Sequence, residues 1–286
     1  MTNHWRLSAH SDFAQLADIV QHLDEVGVEG MTSWSIFDEG EVARLDLIFD
    51  GEPDLAMVRR KAGLPDSMEI ESAAMPDEDW VKLSLKGLKP VEAGRFVVFG
   101  EHDRDQISAD KVMLEIEAGP AFGTGHHGTT RGCLLAFDEM LARGEAPATV
   151  FDLGCGTAAL AIAAAKTLPD AEVLASDIDP EAIEESQVNC EKNGTPGIDC
   201  FVAEGLDHAK LAGRRFDLIF ANILAGPLVA LAPGIANALV PGGKVILSGL
   251  LSEQETWVRE AFEAAGLSVL RREPIEGWET LIAMKA

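Results

Sequence analysis

From residue 148 onward the chain alternates short apolar runs with amphipathic stretches, and this βα rhythm constrains the fold more than any other feature. Strand-like runs lie at 149–153, 172–176, 198–202, 216–220 and 244–247, with helical stretches at 158–166, 180–193, 225–239 and 252–265. Strands that are apolar throughout are buried on both faces, and parallel neighbours need a crossover helix, so the pattern predicts an α/β domain with a parallel sheet covered on both sides. The second of these helices is clearly punctuated, with Asp179 as N-cap, Pro180 just inside and Asn193-Gly194 at its end. Two further runs, 267–272 and 279–285, flank Glu273-Pro274-Ile275-Glu276-Gly277 and predict a final antiparallel pair.

The N-terminal part has a different order. A short apolar start at 4–7 precedes a helical stretch at 13–26, which sets Phe13, Leu16, Ala17, Val20 and Leu23 on one side. Strand-like runs at 32–38 and 42–49 follow, joined by Asp38-Glu39-Gly40, then a helix at 54–62 and an extended segment at 67–73. Strand, helix, strand, strand, helix, strand is the split βαβ order of a ferredoxin-like α+β module, and no catalytic constellation falls within it. The domains expected are therefore 1–74, a linker with connecting strands at 75–111 that includes the strand-like RFVVFG at 95–100, and 112–286.

Chemistry concentrates in the second half. Asp152-Leu153-Gly154-Cys155-Gly156-Thr157 closes the first strand of the βα series, where Gly154 and Gly156 let a ligand approach the backbone at the carboxyl edge of the sheet. Alone, the GxGxxA spacing also resembles a dinucleotide fingerprint. Asp177 follows Gly154 by 23 residues, at the end of the next strand, where a carboxylate accepts both hydroxyls of a ribose; its bland reading, like that of Asp179, is helix capping. Asp152 separates the two cofactor readings, since a carboxylate beside the turn suits a cofactor bearing an ammonium and a sulfonium and repels a pyrophosphate. After the fourth strand comes Ala221-Asn222-Ile223-Leu224, and the Asn222 carbonyl, with a backbone carbonyl beside it, suits holding a neutral amine with its lone pair aimed at a methyl group. A simple strand-end cap is the alternative for Asn222.

Upstream, Phe122-Gly123-Thr124-Gly125-His126-His127-Gly128-Thr129-Thr130 forms a backbone-rich loop before a helix at 130–142, with Thr130 placed to bond a ligand at the helix start. Adjacent histidines do not share one side of an extended chain, and there is no HxxxH or acidic third ligand, so no metal is expected; His127 is read as positioning or carrying a proton. Four cysteines without a CxxC pair fit a reducing cytoplasm, and neither a signal-peptide pattern nor a membrane-spanning run is present.

Charge narrows the partner. The chain holds 48 acidic against 23 basic residues, net −25, and residues 1–80 alone carry 18 acidic and 5 basic ones, net −13. Such a field disfavours naked nucleic acid and anionic lipid and favours a basic protein partner, although a merely solubilising surface has the same composition.

Taken together and in order, AFGTGHHGTT, DLGCGT, SDIDP and NILAGPL resemble the bacterial PrmA family, the methyltransferases of large ribosomal subunit protein eleven. The resemblance is strong over 75–286 and extends to the first 70 residues only in element order. It implies an S-adenosyl-L-methionine cofactor, a seven-stranded Rossmann-like class I methyltransferase sheet, and a ferredoxin-like domain that captures the ribosomal protein; a monomer is expected. The family's cofactor contacts fall on Thr130, Gly154, Asp177 and Asn222. Departures are Ala158 where the family has glycine, His126-His127-Gly128-Thr129-Thr130 where it reads THPTT, and Glu117-Ala118-Gly119-Pro120-Ala121 where it reads DPGLA. Rival readings are a methyltransferase of another protein or a small amine, a nicotinamide-dependent oxidoreductase, and a non-catalytic cofactor-binding module.

Overall fold

The computed structural model describes residues 4–38, 42–65, 67–75, 90–108, 110–116, 128–272, 274–275 and 277–286. It divides into two compact units, Met1–Ser84 and Leu85–Ala286.

The first unit runs β1 (His4–Ser11), α1 (Phe13–Val26), β2 (Met31–Asp38), β3 (Ala43–Asp50), α2 (Leu55–Lys61) and β4 (Ile70–Met75). Its antiparallel sheet has the order β2-β3-β1-β4, the split βαβ arrangement that the sequence order predicts. Both helices start on an aspartate: Asp12 accepts from the Gln15 N–H at 2.9 Å, and Asp54 accepts from Ala56 and Met57 at 2.9 and 3.2 Å. Leu16, Val20 and Leu23 recur on one side of α1 and are buried, as are the alternate residues Leu45, Leu47 and Phe49 of β3, on which that helix packs.

The second unit opens with β5 (Val91–Ala93), β6 (Phe96–Phe99) and β7 (Val112–Glu115), a three-stranded sheet of its own. This is more than a linker. Phe96 stacks on Phe137 at 5.8 Å, Arg95 pairs with Asp138, and Lys166 donates to the Met113 carbonyl at 2.6 Å, so these strands are integral to the larger unit.

The main elements follow: α3 (Gly128–Ala142), β8 (Thr149–Leu153), α4 (Ala159–Thr167), β9 (Glu172–Asp177), α5 (Pro180–Lys192), β10 (Asp199–Val202), β11 (Phe216–Asn222), α6 (Ala225–Ala238), β12 (Leu239–Leu251), α7 (Glu255–Ala264), β13 (Leu267–Arg272) and β14 (Trp278–Lys285). They build a seven-stranded sheet ordered β10-β9-β8-β11-β12-β14-β13, in which β14 alone runs opposite to the other six strands and pairs antiparallel with both β12 and β13. Alternation along each strand fills two cores. Val150, Leu218, Phe220 and Ile246 face α3, α4 and α5, while Phe151, Ile219, Ala221, Val245 and Leu247 face α6 and α7.

Strand β12 departs from expectation. The Pro241-Gly242-Gly243 sequence reads as a break before a short strand at 244–247, yet the element runs from Leu239 to Leu251, with Leu239 paired to Phe216 and the ladder resuming at Lys244. A second irregularity lies between Leu247 and Leu250, which pair with Leu281 and Glu279, so β12 carries one extra residue there. Gly249, at φ +86°, absorbs that bulge. Among the described residues, no helix is long and apolar enough to cross a membrane.

Candidate functional site

The order of the seven strands reverses between β8 and β11, and a ligand of an open α/β sheet lies outside the carboxyl ends at that point. Gly154 and Gly156 follow β8, Asp177 ends β9 and Asn222 ends β11, so the main sequence candidates converge on one edge.

The glycine turn is held from within. Gly154 and Cys155 both donate to the Ser176 carbonyl, at 2.8 and 2.9 Å, and the Gly156 N–H donates to Asp177 Oδ2 at 2.9 Å. The Gly154, Cys155 and Gly156 amides are therefore all engaged within the protein. Gly154 and Gly156 adopt φ +70° and +52°. A Cβ on Gly154 would lie 2.3 Å from Ile223 Cγ2, and one on Gly249 would lie 2.3 Å from the Ile223 carbonyl oxygen. The residue after Asn222 is thus wedged between two glycines, one at each neighbouring strand end, and this fixes the 222–223 backbone. Gly249 was not evident as a site residue, because its role depends on a register that only the folded sheet reveals.

Asp177 takes on two roles. Oδ2 accepts from Gly156, and Oδ1 accepts from Asp179 N–H at 3.0 Å, which shapes the turn into α5. Each oxygen keeps lone-pair capacity for a ribose hydroxyl. Asp179 accepts from Glu181 N–H at 2.9 Å and caps α5. Ile178, between them, is 66% exposed and offers an apolar surface of the kind a purine ring covers.

Asp152 is placed differently from its expected cofactor contact. Its carboxyl is 1% exposed and turned beneath the turn, where Oδ2 accepts from Ala161 N–H at 2.9 Å. Burial pushes the carboxyl up to about 8, opposed by the Ala161 bond and assisted by the Asp177 charge.

Thr130 lies in the first turn of α3, buried, and Asn222 Nδ2 donates to its Oγ1 at 3.4 Å across 92 residues of sequence. With the amide NH2 turned to Thr130, the Asn222 carbonyl is left to accept from an incoming amine. Phe122, Gly123, Thr124, Gly125 and His127 lie outside the described residues, as does His126.

The residues present fit S-adenosylmethionine: Asp177 keeps acceptor capacity suited to ribose hydroxyls, and the exposed Ile178 beside it offers an apolar surface. The model of the ribosomal protein L11 methyltransferase family, PrmA, matches residues 4–286. A ribosomal protein L11 methyltransferase from Bradyrhizobium diazoefficiens is 45% identical over 274 residues, covering 93% of this chain and 92% of the relative. One from Caulobacter sp. is 42% identical over 283 residues, covering 97% and 95%. Among solved structures, the ribosomal protein L11 methylase from Lactobacillus delbrueckii subsp. bulgaricus superposes with a TM-score of 0.59 at 28% identity, covering 70% of this chain and 97% of that one. The match of the family model over residues 4–286 and of relatives over nearly their full length leads to one assignment: the chain belongs to the PrmA family of S-adenosylmethionine-dependent methyltransferases.

Proposed function

We propose that this protein methylates amino groups, lysine side chains or the N-terminal amine, of large-subunit ribosomal protein L11 in the cytoplasm. The observation that carries the reading is the Asn222–Thr130 contact at the carboxyl edge of the sheet, beside the Asp177 turn. S-adenosylmethionine supplies an electrophilic methyl on a sulfonium. When it is bound, a neutral amine would take that methyl as the carbon–sulfur bond breaks, leaving the thioether S-adenosylhomocysteine and giving up the amine proton to water.

In this reading, Thr130 orients the Asn222 amide, and the Asn222 carbonyl accepts an amine hydrogen and aims the lone pair. Asp177 holds the ribose, and Gly154 and Gly156 give the cofactor access to the backbone. Catalysis by positioning and desolvation needs no paired carboxylates or nucleophile. The first unit serves as the capture domain, an assignment supported by the net −13 of residues 1–80 against a basic partner.

The test is methyl transfer from labelled S-adenosylmethionine to purified L11, with the modified residues located by mass spectrometry. Label appearing on a different protein or a small amine, with none on L11, would replace this reading by one of the rival methyltransferase readings.

A further inference from the structure

Helix α5 carries a buried polar side that termination and capping do not explain. Ser186, Asn189 and Asn193 are spaced three and four residues apart, so they share one side of the helix, and they are 0%, 2% and 9% exposed. Buried polar groups are costly unless bonded, and each of these reaches the backbone of another element. Ser186 Oγ donates to the Gly156 carbonyl at 2.7 Å, and Asn189 Nδ2 donates to the Thr157 carbonyl at 3.2 Å. Together they hold two consecutive carbonyls of the glycine turn, whose Gly156 N–H is already held by Asp177.

Asn193 reaches the other way. Its Nδ2 donates to the Glu115 carbonyl at 2.7 Å, and its Oδ1 accepts from the Glu115 N–H at 3.0 Å. The side-chain amide thus pairs with both backbone groups of the last residue of β7, 78 positions away, as a neighbouring strand would. A second Nδ2 bond to the Asn189 carbonyl, at 2.9 Å, fixes the amide on the helix end. An asparagine that only ended the helix would have no need of this geometry.

We propose that Asn193 is a positioning residue for cofactor binding: acting through α5, it holds the end of β7 in register with the glycine turn that Ser186 and Asn189 secure. The proposal rests on the reading of that turn as the S-adenosylmethionine cradle. One helix thus joins two backbone anchors, the glycine turn and the end of β7, so loosening either end frees the other to shift.

The full-length protein, free of cofactor, is titrated with S-adenosylmethionine by calorimetry, at a temperature where thermal melts show each variant fully folded. Asn193→Ala and Ser186→Ala should each weaken binding by roughly threefold to tenfold, the scale of a lost net hydrogen bond. The double variant should be weakened by less than the product of the two, because one helix transmits both anchors. A purely structural role would lower the melting temperature and leave affinity unchanged. Wild-type affinity in Asn193→Ala, or single effects that multiply, overturns the proposal. If Asn193→Ala does not fold, Asn193→Asp takes its place: it keeps the acceptor for Glu115 N–H and loses the donor to the Glu115 carbonyl, and wild-type affinity there is equally fatal. A wild-type chain that binds no S-adenosylmethionine would instead overturn the cradle reading, and this proposal with it.

Discussion

Replacing Asp152 by asparagine isolates the energetic consequence of a carboxyl buried beneath the cofactor turn. In the folded chain this group is 1% exposed and accepts one hydrogen bond, from Ala161 N–H, and burial pushes it up to about 8. In the unfolded chain it titrates near ~3.9. A folded-state value above the unfolded one means that the protonated form favours folding. The contribution is fully present below pH ~4 and is lost as pH rises toward about 8, where the folded state also releases the proton. Between these limits the folded chain holds one more proton than the unfolded chain, so this group lowers stability by up to about 1.4 kcal/mol per pH unit. Asparagine has no proton to lose, and its carbonyl can keep the Ala161 bond. The stability of the wild type minus that of Asp152→Asn should therefore fall by as much as about 3 kcal/mol from pH 5 to pH 7 and level off above pH ~8. Urea unfolding of both proteins without cofactor, across that range, measures it, and the other carboxyls cancel in the difference. A difference that is flat, or that rises with pH, would show that Asp152 is ionised in the fold and would refute the reasoning.

Asp177→Ala should weaken S-adenosylmethionine binding at least about tenfold, since two charge-assisted ribose bonds of ~1.5–3 kcal/mol each are at stake; calorimetry showing wild-type affinity would remove the ribose assignment. Asn222→Ala should reduce kcat on L11 far more than it weakens cofactor binding, and equal fractional losses in steady-state kinetics and in titration would make Asn222 a plain binding residue. Ala158 is the one non-glycine among the described residues with positive φ, at 62°. Glycine there relieves ~1–2 kcal/mol of left-handed strain, which offsets the loss of a buried methyl (~0.8 kcal/mol) and the added chain entropy, so Ala158→Gly should be near neutral. Ala161→Gly, equally buried but inside α4, should cost more by about 1–2 kcal/mol, and equal costs in urea unfolding would argue against strain at Ala158.

The sequence was most legible where local pattern and global position coincide. Apolar runs of β8, β9 and β11 are short, and Gly154, Asp177 and Asn222 stand at or just past their carboxyl ends, so their position at that edge of the sheet is readable from the pattern alone. Legibility failed where a residue's task depends on a partner distant in the chain. Gly249 matters because Ile223 passes against it, and Asn193 because Glu115 does; neither relation leaves a periodic trace. Asp152 failed for a different reason: its spacing marks the turn correctly, but one residue's direction in a strand decides between facing a ligand and facing the core, and the adjacent helix amide at Ala161 draws it inward. β12 extends beyond the strand expected at 244–247 because the sheet accommodates Pro241-Gly242-Gly243 as an irregular stretch between Leu239 and Lys244.

In the function proposed above, a neutral amide at the end of β11 suits the acid–base state of the substrate amine. A lysine amine has a pKa near ~10.4 and reaches the site mainly as an ammonium, yet only the neutral amine has a lone pair to give. A carboxylate in the place of Asn222 would pair with the ammonium, stabilise its charged form and raise its pKa, holding the proton where it blocks attack. An amide carbonyl orients the nitrogen with a dipole and leaves the proton free to depart. The buried surroundings add to this, because Thr130 and the Phe220 side chain behind the strand end are both removed from water, and desolvation disfavours the ammonium. In the same reading the ionised carboxylate near the site is kept off the amine: Asp177, at the end of β9, is engaged by the Gly156 and Asp179 amides, and Asp152, beneath the backbone, is held protonated by burial.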